Sequence, residues 1–124
     1  MNVLILALDA AIPTEVHGAE VLVVAPAVNS RLRHWLSDED GARRRAAARA
    51  AAFVERLGRG GIHAEGRVGD PDPLLAIADA LPTFPADEIV IAADAERADD
   101  LLARAHDRFA LPVSHAGESF PRAA

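Results

Sequence analysis

The sequence predicts an α/β domain, a three-layer sandwich in which a five-stranded, mainly parallel sheet carries helices on both faces. Three observations predict it. Val3 to Leu8, Val21 to Val24 and Glu88 to Ala92 are short β-type runs dominated by apolar residues, the pattern of strands buried on both faces. Stretches with helical apolar spacing alternate with the later strands, in the order β, β, α, β, α, β, α, β. Helix starts and stops also stand between them, notably Asp72-Pro73 and the Gly58, Gly60, Gly61 cluster.

Taken in order, Val3 to Leu8 forms the first strand, and Val21 to Val24 follows Gly18 as the second, closed by Pro26. Arg31 to Leu36 is a loop or a single helical turn. At Ser37-Asp38-Glu39-Asp40 a helix begins, with Ser37 as cap and three acids favouring the positive helix end. Ala46, Ala50, Phe53, Val54 and Leu57 share its apolar face. Ile62 to Val68 alternates loosely around Gly66, as a strand near a sheet edge does. The second helix starts at Asp72-Pro73, buries Leu74, Ile77, Ala78 and Leu81, and is closed by Pro82 and Pro85. Beyond the Glu88–Ala92 strand, Asp94 or Glu96 opens a last helix with Leu101, Leu102, Ala105 and Phe109 on one face. Pro112 leads into a final strand at Val113-Ser114-His115.

Composition narrows the function. The chain has 124 residues, the size of one domain, here residues 1–124 without repeat or linker. It contains no cysteine, which removes disulfide scaffolds, thiolate zinc sites and cysteine nucleophiles. Thirteen basic residues, all arginine, stand against 19 acidic ones, for a net charge of −6, which argues against a nucleic-acid partner. No apolar run approaches the ~18 residues of a membrane span. Met1 to Ala11 lacks a basic leader and contains Asp9, so it is a poor signal peptide and a cytoplasmic location is expected.

Val3 to Leu8 followed by Asp9, the Gly69-Asp70 turn before a capped helix, and Ala86-Asp87-Glu88-Ile89-Val90-Ile91 resemble the universal stress protein family, in order and spacing, over roughly Val3 to His115. The resemblance implies a Rossmann-like, adenine-nucleotide alpha-hydrolase-like fold with strand order 3-2-1-4-5. It also implies a nucleotide site at the carboxyl ends of the strands, where the order reverses. In nucleotide-binding members the first strand ends in Val-Asp-Gly-Ser; here the stretch is Leu8-Asp9-Ala10-Ala11, which keeps the acid. Val23 takes the position of a valine that meets adenine. The family's phosphate loop reads Gly, two residues, Gly, nine residues, Gly-Ser/Thr. Aligned from Ile89-Val90, its first two glycines become Ala92 and Ala95, and its last pair falls on Ala105 and His106. Such glycines let backbone N–H groups converge on phosphate. With alanine there, and Asp94 and Glu96 beside them, the expectation is a degenerate site and no bound cofactor, with ATP or another adenine nucleotide as the alternative.

Asp9 to Ala19 is too short for the family's first helix, since eleven residues span only ~36 Å even when extended. A reduced or absent first helix is expected, leaving apolar strand residues partly uncovered beside the 37–57 helix. Antiparallel pairing of the first two strands is the competing possibility. A homodimer is expected, through the last strand as in the family or through the uncovered face, and a protein partner is possible on the same grounds.

Other constellations carry less. His17, His34, His63, His106 and His115 show no zinc spacing; a metal-dependent enzyme would need His106-Asp107 to gather in space with Asp94, Asp99 and Asp100. Arg31, Arg33, Arg43, Arg44, Arg45, Arg49, Arg56 and Arg59 form a basic stripe best explained as a solvated helix face balanced by Asp38, Glu39, Asp40 and Glu55. A hydrolytic triad lacks its Gly-x-Ser-x-Gly elbow, and the adjacent Ser114 and His115 point to opposite strand faces. Trp35 is expected over the sheet edge or at an interface.

Overall fold

In a computed structural model, which describes residues 1–8, 20–28 and 39–116, every strand pairs in parallel with its neighbours. The elements are β1 (Asn2–Ala7), β2 (Glu20–Pro26), α1 (Glu39–Arg59), β3 (Ala64–Gly69), α2 (Pro73–Ala80), β4 (Glu88–Ala92), α3 (Ala95–Arg108) and β5 (Val113–His115). The sheet order is β3-β2-β1-β4-β5. The possibility of antiparallel pairing between the first two strands is thereby excluded, because Val3 to Leu6 run in register with Val21 to Val24 in the same direction. The expected short connection from Asp9, together with Trp35 and Ser37, lies outside the described residues.

Alternation along the strands divides the core into two apolar layers. Leu4, Leu6, Leu22, Val24, Ile89 and Ile91 face α2 and α3. Val3, Ile5, Val21, Val23, Val90 and Ala92 share the other layer with Ala42, Ala46, Ala50, Phe53 and Leu57 of α1. Among the described strand residues the predicted uncovered patch on the α1 side is not there. Ile5 and Ala92 are fully buried, Val3 and Val90 nearly so, within one cluster that also takes in Ala116.

Local chemistry closes α1 where the sequence places a stop and opens α2 where it places a start. The Ile62 amide donates to the Leu57 carbonyl and the Gly61 amide to that of Gly58, while Gly61 has φ of 86°. This is a Schellman closure of α1, and glycine is the residue that enters the left-handed region at least cost. Asp72 caps α2, accepting from the Leu74 amide at 3.0 Å, with Pro73 in the first turn. The buried stripe of α2 differs from the predicted one: Leu74, Ala76, Ile77 and Ala80 are buried, and Ala78 and Leu81 only half so. Ala76 lies close over Gly69, on the buried side of the helix. β3 starts two residues later than expected and ends one later, and it is an edge strand, paired with β2 alone. At the amino ends of the strands, Asn2 and Asp87 exchange hydrogen bonds of 2.7 Å, which aligns β1 with the approach to β4.

Gly69 is where β3 turns into α2, and a Cβ there would stand 2.8 Å from the Ala76 Cβ and 2.9 Å from Val24 Cγ1. Gly69→Ala is therefore expected to lower stability by roughly 1–3 kcal/mol in urea unfolding, the cost of overpacking. Gly58→Ala, with open space at its Cβ, should be neutral or stabilising by up to about 1 kcal/mol.

Candidate functional site

Order reversal places the switch point between β1 and β4, and in an open α/β sheet the crevice outside the carboxyl ends of those strands is where ligands bind. Three described segments reach it. The end of β1 passes from Ala7 to Leu8, whose amide donates to the Ala92 carbonyl at 3.0 Å. That of β2 passes from Pro26 to Ala27, whose amide donates to the Gly69 carbonyl at 3.1 Å. From β4 the chain continues through Ala92, Ala93 and Asp94 into α3.

Arg49 ties two of these ends together. Its Nε donates to the Ala7 carbonyl at 2.9 Å and its Nη2 to the Pro26 carbonyl at 2.7 Å. Both acceptors sit at the last residue of a strand, and the Pro26 carbonyl also accepts from the Val28 amide at 2.9 Å. A guanidinium presents its N–H groups in a rigid fork, so one side chain serves two adjacent strands at a fixed spacing. Arg49 was predicted to be part of a solvated stripe, but it is half-buried at the sheet edge. Its position three residues after Ala46 and four before Phe53, both buried on α1, was the available signal.

The loop after β4 is held by two further contacts. Asp94 adopts an extended backbone, and its Oδ1 accepts from the Arg97 amide at 3.1 Å, capping α3 with a carboxylate. Glu96 adds a second acid in the first turn. From β5, His115 Nε2 donates to the Ala93 carbonyl at 2.6 Å, so the imidazole lies against the same loop.

Of the residues proposed from the sequence, Asp9 lies outside the described residues. Val23 is fully buried in mid-strand, paired with Ile5 and Gly66, beneath α1. The exposed apolar side chain at this end of β2 is instead Val28, at 38%. Ala92 is buried at the last position of β4, opposite Ala7, and Ala95 is the first residue of α3. The placement of the family's final Gly-Ser/Thr on Ala105 and His106 does not hold. Ala105 is buried in the last turns of α3 and His106 is exposed there, twelve residues and so ~18 Å of helix from Asp94. The same distance separates the Asp94–His106 pair suggested as a metal site, and among the described residues no group of three His, Cys, Asp or Glu is placed to hold a metal ion. Among the described residues, the histidine at the carboxyl edge is His115, delivered by β5, which an ungapped count from β4 misses.

Arg49→Met keeps much of the side-chain volume and removes both donors. It is expected to destabilise the chain by about 2–4 kcal/mol in denaturant unfolding, since hydrogen bonds to charged groups contribute about 1.5–3 kcal/mol each and the Met stem keeps part of the packing. Arg56→Met, on the exposed face of α1, should stay within about 0.5 kcal/mol of the parent.

No protein-family model matches the chain, and no curated protein gives a significant sequence match. Among solved structures, it is similar to a universal stress protein family protein from Arabidopsis thaliana, solved with AMP bound. The TM-score is 0.61 at 12% identity, and the match covers 92% of this chain and 89% of that one. The similarity is one of fold: a five-stranded parallel sheet in the order 3-2-1-4-5 with helices on both faces is the architecture of this chain.

Proposed function

We propose that this chain is a non-catalytic domain of the universal stress protein type, serving a stress response by binding or association, whose loop after β4 no longer holds ATP. The observation that carries this reading is the occupation of the α3 amino terminus by the chain's own acids. A phosphate in that place would need converging N–H groups and a positive local field. Instead the Asp94 carboxylate accepts from the Arg97 amide, Glu96 follows, and the two positions before Asp94 are buried alanines. Two carboxylates near a triphosphate repel it unless a cation intervenes. A cytoplasmic location and a homodimer belong to the same proposal.

One observation favours a second reading, in which the chain is an adenine-nucleotide-binding regulator. The Arabidopsis protein of similar fold was solved with AMP, a ligand with a single phosphate and therefore less dependent on a full loop. Arg49 also brings a positive charge to the carboxyl edge of β1 and β2.

Thermal unfolding with ATP and Mg²⁺, and separately with AMP, distinguishes the two. A ligand at 100 times its Kd raises stability by about 2.7 kcal/mol, a shift of several degrees for a domain of this size. The first reading predicts no shift with either ligand. A shift with AMP alone would favour the regulator, and a shift with ATP would overturn the loss of the phosphate site.

A further inference from the structure

We infer that the outer face of α1 is a docking surface for a second copy of this chain, the two α1 helices packing antiparallel about a two-fold axis that passes between Ala48 and Ala51. Ala42, Ala46, Ala50, Phe53 and Leu57 define the buried side of α1. At 100° per residue, the line directly opposite is Asp40, Arg44, Ala48, Ala51, Glu55 and Arg59, and all six are exposed. Ala47 and Ala52, also exposed, widen its centre.

The charge order along this line is what selects the occupant. It reads acid, base, alanine, alanine, acid, base. Turned antiparallel on itself, the face sets Arg44 against Glu55 of the second copy and Glu55 against its Arg44, with Ala48 against Ala51 between them. Asp40 and Arg59 then lie at matching heights near the two ends. A parallel arrangement would set Arg44 against Arg44 and Glu55 against Glu55, so only one orientation is self-complementary. Arg43, Arg45 and Arg56 fall roughly 90° or more from the centre of the face and stay off the seam. The alanines let the helix axes come as close as ~8 Å. In the single chain Glu55 pairs with Arg59 one turn away at 3.6 Å, both well exposed, and such a water-screened contact exchanges readily.

Size sets the strength. Twenty-one residues make a helix about 31 Å long, and a strip ~10 Å wide on each copy buries ~600 Å² in total. Stable dimers bury roughly 1,200 Å² or more, so the association is weak and reversible. This surface gives the association proposed above a place on the molecule, and it does not depend on the state of the nucleotide site: a chain that bound ATP and still dimerised through α1 would contradict that reading and leave this one intact.

Sedimentation velocity of the full chain over a wide concentration range, at low salt, tests the inference. The expected result is a concentration-dependent monomer–dimer equilibrium that salt weakens. Glu55→Arg should raise the Kd by about tenfold, and Arg44→Glu with Glu55→Arg should bring it back. Circular dichroism of each variant checks that α1 is intact. Because the chain has no cysteine, mixing Ala48→Cys with Ala51→Cys chains under mild oxidation supplies an independent readout. Facing sulfurs should give the mixed cross-linked dimer in excess over pairs formed by Arg56→Cys chains. A parent chain that is monomeric at every concentration, or a dimer whose Kd the charge swaps leave unchanged, would overturn the proposal, as would cross-linking with no preference for the 48–51 pair.

Discussion

The carbonyl ends of two neighbouring parallel strands meet one guanidinium, and much of the architecture on the α1 side depends on that meeting. A parallel ladder leaves acceptors at its carboxyl edge, and β1 and β2 end there side by side. Arg49 supplies donors to Ala7 and Pro26 from a helix that otherwise packs by alanine and a few large side chains. The small residues allow the approach: Ala50 and Val54 lie so near β3 that a Cβ at Gly66 would stand 3.3 Å from both. A helix of larger residues would ride too high for the arginine to reach the strand ends. The alanine content and the clamp are thus two aspects of one packing solution.

On the other side of β1 the same edge is closed by acids. The loop leaving β4 is fixed by its own helix cap at Asp94 and by His115 from the shortest strand. A loop that spends its helix-end donor on a neighbouring carboxylate is stable without ligand. It also offers an incoming phosphate a like charge in place of a free amide. On the reading proposed above, structural satisfaction and loss of an anion site are the same event.

Most of the sheet was legible in the sequence because buried parallel strands leave a strong signal. Glu88–Ala92 and Val113–His115 fall where the sequence places them, and Asp72-Pro73 and Asp94 announced their helices by side-chain chemistry that operates locally. The strand order came from the resemblance, since no local pattern encodes which strands become neighbours. What failed was long-range. Arg49 reads as one more arginine of a charged stripe until the strand ends it serves are in view. Val23 entered through the resemblance, and that it is buried beneath α1 could not be read from the sequence. His106 and His115 differ by nine positions in the chain, and only the path of α3 and β5 shows which one returns to the β4 loop. The expectation of bare strand residues counted helices, and the burial of Val3, Ile5 and Val90 in one cluster with α1 and Ala116 is a tertiary fact that such a count cannot give.

On the reading proposed above, this fold has kept its frame while closing the edge at which a nucleotide would sit. Native mass spectrometry of the chain purified under non-denaturing conditions tests it most directly, because it reads whatever the protein holds when isolated. The account predicts the bare mass of the polypeptide, or of two copies, with no nucleotide adduct. A stoichiometric adduct with the mass of AMP or ATP, released with an adenine absorption spectrum on denaturation, would contradict it.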